Sequence, residues 1–217
     1  MPPRALSPSG IFLVDKPAGP SSFAIVAEQR RRTGARTGHA GTLDPFATGL
    51  LIVLSGAATK LASCFVGLDK RYLTEIDLSS RTSTGDPEGE TVERLIPPDE
   101  AELERRAAAL RGEVELPIPA ASAVKIGGER AYRLARRGVS VDMPTRKSRV
   151  DALEVIAYEN GMARVDLHVS SGTYVRAIAN ALGGHCRTLR RTEIGPFSVD
   201  EADPERLLTA EEALARL

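Results

Sequence analysis

The stretch Gly38-His-Ala-Gly-Thr-Leu-Asp-Pro-Phe-Ala-Thr-Gly49 is the most informative part of the chain, and an apolar run begins directly after it. Asp44 precedes a proline, and a residue in that position is driven from the α region toward extended geometry. The pattern predicts a loop of fixed shape that presents one carboxylate and leads into a buried strand. His39 is expected to share the same concavity. An ordinary Asp-Pro turn gives the same local pattern.

Composition is typical of a globular protein. The chain has 217 residues, of which 42% are hydrophobic and 27% charged. No apolar run approaches the roughly 20 residues of a membrane span, and the N-terminus lacks the apolar core of a signal peptide. Two cysteines are too few for a disulfide framework, which predicts a reducing, cytoplasmic location.

Charge is balanced overall but unevenly distributed. The chain carries 29 basic and 29 acidic residues. From Lys125 to Arg149, eight basic residues stand against two acids, a local balance of 8 − 2 = +6. Such a segment is able to present a basic face to phosphates. Solvated helix faces produce the same kind of run, so charge alone leaves both interpretations open.

Strands and helices alternate without a regular βαβ rhythm, which favours an α+β fold. We expect a helix from the Ser21-Ser22 cap to Gly34, a hairpin around Glu159-Asn160-Gly161, and a helix that starts at the Ser-Ser-Gly-Thr173 segment. Three more segments are predicted, namely a loop over Arg81 to Glu90, a basic helix over Glu129 to Arg137 closed by Gly138, and a terminal helix over Pro204 to Leu217.

Several familiar chemistries have no signature in the sequence. It contains no Gly-rich nucleotide loop, no histidine and cysteine pair at zinc spacing, and no serine elbow. We therefore expect no cofactor and no metal, and chemistry that depends on a carboxylate. Arg176 lies in the first turn of a helix, where a cation opposes the helix dipole, so it is expected to bind an anion such as Asp44 or a phosphate. A surface arginine that extends into solvent is the alternative.

Seven segments, in order, carry a resemblance to the TruB-type tRNA pseudouridine synthase family over nearly the whole chain. They are Leu13–Ser22, Gly38–Gly49, Asp69–Tyr72, Ser122–Lys125, Gly128–Gly138, Gly172–Arg176 and Leu189–Thr192. The resemblance implies a mixed, largely antiparallel central sheet flanked by helices. It further implies a single catalytic domain over 1–217 and a basic thumb-like insertion at about 117–148. Family members commonly carry a further C-terminal RNA-binding domain, and here the chain departs from that pattern: we expect no separate C-terminal domain of the PUA type, either in a short natural form or in a truncated one.

The same resemblance implies roles for individual residues. Asp44 corresponds to the aspartate that attacks uridine, at C6 of the base or at C1′ of the ribose. Arg176 corresponds to the arginine that pairs with it, and Tyr72 to a tyrosine that stacks on the base and is a candidate to remove the C5 proton. A phenol with a pKa of about 10 is a poor base at neutral pH, so stacking is the firmer role. The residues implied to bind the substrate are Lys16, His39, Tyr174 and Leu189.

The implied reaction is the isomerisation of uridine 55 in the T loop of tRNA, without cofactor, guide RNA, membrane or obligate protein partner. The basic insertion would hold the T arm while the target base is flipped out. Two alternatives remain open at this point. One is an RNA-binding module with incidental activity, and the other is the guide-RNA-dependent branch of the superfamily.

Overall fold

The computed structural model describes residues 9–137, 139 and 141–217. Its strands are β1 Gly10–Lys16, β2 Thr37–His39, β3 Thr48–Ser55, β4 Lys70–Asp77, β5 Ser80–Thr82, β6 Thr91–Arg94, β7 Gly112–Pro117, β8 Lys125–Ile126, β9 Glu129–Arg130, β10 Thr145–Glu159, β11 Met162–Val169, β12 His185–Ile194, β13 Phe197–Ser198 and β14 Asp203–Leu208. Its α-helices are α1 Ser22–Thr33, α2 Ala62–Val66, α3 Glu100–Ala109, α4 Ala131–Arg136, α5 Val175–Leu182 and α6 Ala210–Leu214. Short 3-10 helices cover Gly56–Leu61 and Val199–Glu201.

The chain divides into two compact units. The first comprises Met1–Tyr72 and Leu189–Leu217, and the second comprises Leu73–Thr188. Strands β4 and β12 each contribute residues to both units. In both units most strand pairs are antiparallel, and helices accompany them, which confirms the predicted mixed α+β class. The single-domain organisation over 1–217 remains a prediction.

The sheet of the first unit runs in the order β14-β1-β3-β12, with β2 also paired to β3 and β13 to β12. Strand β1 is antiparallel to β3 along its whole length, so that Lys16 faces Gly49. Strand β3 is parallel to β12, so that Arg191 also faces Gly49. The predicted loop therefore lies between two strands of this sheet, β2 and β3, and β3 is an inner strand flanked by β1 and β12.

Strand β3 is apolar throughout because both of its faces are covered. Leu50, Ile52 and Leu54 belong to one buried cluster with aromatic side chains of α2 and β13. Leu51 and Val53 belong to another, together with apolar residues of α1. Burial on both faces explains why the sequence shows a continuous apolar run instead of alternation.

Helix α1 has the ends that the sequence predicted. The Ser21 side chain accepts a hydrogen bond from Ala24 N at 3.2 Å, and Gly34 closes the helix in the left-handed region at φ 64°. In the second unit, β10 and β11 form the predicted hairpin, and its turn places Asn160 at φ 50° and Gly161 at φ 79°. The second unit's sheet continues in the order β4-β11-β10-β7.

Three local expectations were wrong. The predicted helix over 204–217 is a strand in its first half, because β14 pairs with the free edge of β1, and only Ala210–Leu214 is helical. Part of the predicted 81–90 loop lies in β5, which pairs with β6. Helix α5 begins at Val175 without the expected side-chain cap. The expected helix end at Gly138 and the N-terminal residues 1–8 lie outside the described residues.

Among the described residues, no helix is both long and apolar enough to cross a membrane.

Candidate active site

The loop between β2 and β3 carries Asp44, which is half-buried. Its main chain turns on itself, because Ala47 N donates to the carbonyl oxygen of Asp44 at 3.1 Å. Gly41 takes a φ of 95°, a conformation that favours glycine. The loop therefore has a defined shape, and several of its other peptide groups are held by side chains from neighbouring elements.

Lys16 holds the loop on the C-terminal side of Asp44. The side chain is fully buried at the end of β1. Its ammonium donates to the carbonyls of Pro45 at 3.1 Å, Ala47 at 2.7 Å and Pro17 at 2.8 Å. The predicted substrate-binding role of Lys16 stays a prediction, whereas these contacts show that it fixes the main chain next to Asp44.

Ser22 holds the loop on the N-terminal side of Asp44. Its hydroxyl donates to the carbonyl of Leu43 at 2.9 Å and accepts from the amide of the same residue at 2.8 Å. One buried hydroxyl thus satisfies both main-chain groups of the residue that precedes Asp44. The sequence suggested only a helix cap here, and no local signal distinguishes Ser22 from its neighbour.

His39 lies at the end of β2, opposite Val53 of β3. Its Nδ1 atom is buried without a hydrogen-bond partner among the described residues. Burial lowers the pKa of His39, and the positive charge of Arg191 lowers it further. The ring is therefore neutral at pH 7, which suits stacking or positioning better than proton donation.

Tyr72 and Leu189 are both buried strand residues of the first unit. Tyr72 shares the buried face of β4 with Lys70, because buried residues alternate along that strand. The carbonyl of Leu189, in β12, accepts a hydrogen bond from the Thr48 hydroxyl at the start of β3. Their predicted contacts with a nucleotide remain predictions.

Arg176 is the second residue of α5 in the second unit and is only 3% exposed. Its guanidinium donates to the carbonyls of Thr84 and Ala121, both at 2.9 Å. It also forms an ion pair with Asp86, with 3.2 Å between Nη1 and Oδ2. The predicted anion partner of Arg176 therefore includes a carboxylate that the sequence did not single out, and a surface arginine is excluded.

Asp86 is itself well held. Its carboxylate accepts from the Thr84 hydroxyl and from the amide of Glu88 at 3.1 Å, and its side chain is 5% exposed. In the sequence it was one acid among many in an acidic stretch, and its burial was not visible there. Tyr174, the N-cap residue of α5, is half-buried. The predicted pairing of Arg176 with Asp44 stays a prediction.

The basic segment of the second unit is exposed. Four of its basic residues have exposed side chains and no carboxylate within ion-pair distance among the described residues, namely Lys125, Arg130, Arg146 and Lys147. Two others are partly neutralised, because Arg137 pairs with Glu129 and Arg149 with Asp151. The segment thus offers several unneutralised cations to a polyanion.

Comparison with known proteins identifies the fold. A crystal structure of a pseudouridylate synthase superposes with a TM-score of 0.55 at 21% identity, over 98% of this chain and 76% of that chain. A chain in the crystal structure of a Cbf5–Nop10–Gar1 complex gives a TM-score of 0.67 at 29% identity over 88% of this chain. The present chain spans about half of that longer protein, 50% of its length. The fold class is therefore that of the pseudouridine synthases, which are isomerases.

Residues 29–175 match the TruB family pseudouridylate synthase N-terminal domain. A tRNA pseudouridine synthase B from Mycobacterium sp. (strain KMS) is 44% identical over 219 residues, which cover 95% of this chain and 74% of that protein. The chain belongs to the TruB family of pseudouridine synthases, as its motifs predicted.

Proposed function

We propose that this protein converts uridine 55 in the T loop of tRNA to pseudouridine, with Asp44 as the nucleophile and without a cofactor or guide RNA. The observation that carries the mechanism is the loop of Asp44, whose main chain is fixed on both sides by buried side chains. The substrate is proposed from the 44% identical relative named tRNA pseudouridine synthase B. A fixed loop suits covalent catalysis, because a misplacement of about 1 Å is able to reduce the rate roughly 10²-fold.

The reaction is an isomerisation, so its atoms balance within the substrate. The carboxylate of Asp44 adds to C6 of the base or to C1′ of the ribose, and the bond between N1 and C1′ breaks. The detached base rotates and C5 bonds to C1′, and the bond between Asp44 and the substrate breaks, which releases the carboxylate. The proton on C5 is lost and N1 gains a proton. An ionised carboxylate performs this role without a metal when a cation keeps it deprotonated.

Arg176 is proposed to supply that cation. Its guanidinium is planar and has five N–H donors, so it is able to bind more than one acceptor at once. Thr84, Ala121 and Asp86 engage two of its nitrogen atoms from within the second unit. In this proposal Asp86 orients the guanidinium and lowers the energetic cost of its burial, while Asp44 is its functional partner.

Tyr72 is proposed to stack on the uracil ring and is the candidate acceptor for the C5 proton. His39, as a neutral imidazole, positions the flipped nucleotide. Tyr174, Leu189 and Lys16 complete the proposed substrate-binding set, with Lys16 acting through the loop main chain that it holds. No residue in this set requires a metal ion.

The basic segment at about 117–148 is proposed to hold the phosphates of the T arm. Its exposed cations bind the backbone, while the shape of the loop and the flipped base give specificity. Because tRNA is made and used in the cytoplasm, the proposal also places the enzyme there. No obligate protein partner is proposed, although a chain that it resembles was solved as part of a Cbf5–Nop10–Gar1 complex.

The test uses the purified chain, an unmodified T-arm hairpin and no guide RNA, with pseudouridine measured by nucleoside chromatography and mapped by sequencing. The wild type is expected to modify a single uridine. Asp44→Asn is expected to bind the hairpin and form no product, whereas Asp200→Asn, which changes an exposed carboxylate, retains activity. Product from Asp44→Asn would contradict the mechanism, and product only after addition of a guide RNA would favour the guide-dependent branch.

A further inference from the structure

Two consecutive arginines of β12 have opposite surroundings. Arg190 is half-buried and forms a two-point ion pair with Asp15, with distances of 3.0 and 2.8 Å. Arg191 is only 1% exposed, and it is one of the largest fully buried side chains in the described part of the chain. The alternation of side chains along a strand accounts for the difference in direction. It does not explain why the buried position holds an arginine.

The guanidinium of Arg191 binds main-chain carbonyls on both sides of the catalytic loop. Its Nε donates to Leu50 at 2.7 Å, at the strand that follows the loop. Its two terminal nitrogens donate to Thr42 at 3.4 Å and to Gly41 at 3.1 Å, shortly before Asp44. One rigid, planar group thereby joins the loop to β3, and its geometry fixes the distance between the loop and this strand.

The main chain packs closely around Arg191. Gly49 takes a φ of 102°, and a side chain there would place its Cβ 2.2 Å from the carbonyl oxygen of Arg191. A Cβ on Gly41 would lie 3.6 Å from a terminal nitrogen of the guanidinium. Gly49 thus allows the main chain to approach Arg191 more closely than any side chain would permit, whereas at Gly41 the spacing is that of ordinary van der Waals contact.

The acceptors of Arg191 are all carbonyls, so its positive charge is not neutralised by a carboxylate among the described residues. Burial lowers the pKa of His39 and lowers that of Lys70 to about 8, and the charge of Arg191 contributes to both shifts as the second cause. Burial of a charge is unfavourable. A neutral side chain or a water molecule is able to satisfy carbonyls without that penalty, so the charge itself is significant.

We propose that Arg191 is a positioning residue for the isomerisation, which acts through the main chain of Gly41 and Thr42 to hold the Asp44 carboxylate in its reactive orientation. Arg191 does not touch the substrate in this scheme. It completes a set of three side chains that fix the loop, the other two being Lys16 and Ser22. Burial of the ring is the larger cause of the lowered pKa of His39, and the charge of Arg191 adds to it. The inference rests on the proposed function of the Asp44 loop.

Arg191→Gln and Arg191→Lys test this role in the full chain with the T-arm hairpin. The glutamine variant is expected to lower kcat by roughly 10²-fold, the effect of a misplacement of about 1 Å, and to leave KM nearly unchanged. The lysine variant keeps the charge but not the planar guanidinium. Its kcat is therefore expected to fall by at least about tenfold, but by less than in the glutamine variant. Arg216→Gln is the matched control, because Arg216 also donates to a carbonyl, that of Pro196, but lies outside the loop.

A second measurement separates positioning from simple stabilisation. The chain contains three histidines, so the His39 ring is readily assigned by NMR. Its pKa is expected to rise in Arg191→Gln and to stay near the wild-type value in Arg191→Lys. All rates are measured well below each variant's Tm, where the protein is folded.

The proposal is overturned if folded Arg191→Gln keeps kcat within about twofold of wild type, a change of roughly 0.4 kcal/mol. It is also overturned if Arg216→Gln loses as much kcat for an equal loss of stability. If neither Arg191 variant folds, the side chain has a purely structural role in the core, which also overturns the proposal. Absence of product with wild-type protein would instead refute the proposed function, so the two failures are distinguishable.

Discussion

Asp86→Asn tests the buried ion pair that holds Arg176. The substitution preserves the shape of the side chain but removes a charge that is 5% exposed and lies 3.2 Å from the guanidinium. In the wild type, the carboxylate accepts from the Thr84 hydroxyl, the Glu88 main-chain amide and Arg176. In the variant, these donors face a side-chain carboxamide. The variant therefore removes one carboxylate partner of a buried cation.

Removal of one partner from a buried ion pair typically destabilises a protein by about 3–5 kcal/mol. Arg176 retains two carbonyl acceptors, and asparagine retains one oxygen, so we expect the lower end of that range, about 3 kcal/mol. For a chain of this length, each kcal/mol lowers the Tm by about 2–4 °C, which gives a decrease of roughly 6–12 °C. A fall in kcat is expected as well, because the guanidinium is no longer oriented.

Urea denaturation followed by circular dichroism measures the change in the free energy of unfolding, and calorimetry measures the Tm. Glu90→Gln is the matched control, because it removes a carboxylate from an exposed position of the same loop. Adding Arg176→Met to Asp86→Asn should recover part of the lost stability, since the buried positive charge that Asp86 offsets is then absent as well. A loss below about 1 kcal/mol, no more than an exposed ion pair contributes, would refute the reasoning.

Three further predictions concern the first unit and the basic segment. Lys16→Met leaves buried carbonyls without a donor, so we expect the free energy of unfolding, measured by urea denaturation, to fall by about 2–4 kcal/mol. We also expect kcat to fall, and an unchanged kcat would contradict the role of Lys16 in fixing the loop. The pKa of His39, followed by NMR, should lie below that of a free histidine, about 6.5. Because unfolded His39 then binds a proton more tightly than folded His39, the free energy of unfolding should rise as the pH increases toward about 6.5, and His39→Gln should flatten that rise. Gln substitutions at Lys125, Arg146 and Lys147 should each reduce the slope of log affinity for the hairpin against log salt by about 0.7–0.9, and an unchanged slope in all three would exclude phosphate contacts there.

Much of the candidate site was visible in the sequence because its signals are local. The Asp-Pro dipeptide and its flanking glycines predict a shaped loop without knowledge of any distant residue. The caps of α1 and the turn of the β10–β11 hairpin depend on neighbouring residues in the same way, and the structure contains both. The family motifs extended this to the fold class and to named roles.

Long-range partners were not predictable in the same way. The first half of the helix expected over 204–217 is instead a strand, because it pairs with the edge of β1. The local sequence carries no information about that edge. Nothing in the local sequence distinguishes Asp86 from the acids near it, although a buried guanidinium 90 positions along the chain is its partner. Ser22 was interpreted only as a helix cap, and its contacts with Leu43 cross 21 positions of sequence.

The sequence by itself thus determined the position of the proposed catalytic carboxylate and the kind of loop that carries it, because glycine and proline limit backbone dihedral angles locally. Only the tertiary structure decided what holds that loop. Lys16 and Arg191 both face Gly49 across the strands of one sheet, and their side chains meet carbonyls far away in sequence. Strand alternation directs Arg190 to solvent and Arg191 inward, but which of two adjacent arginines is buried depends on the register of β12 against β3.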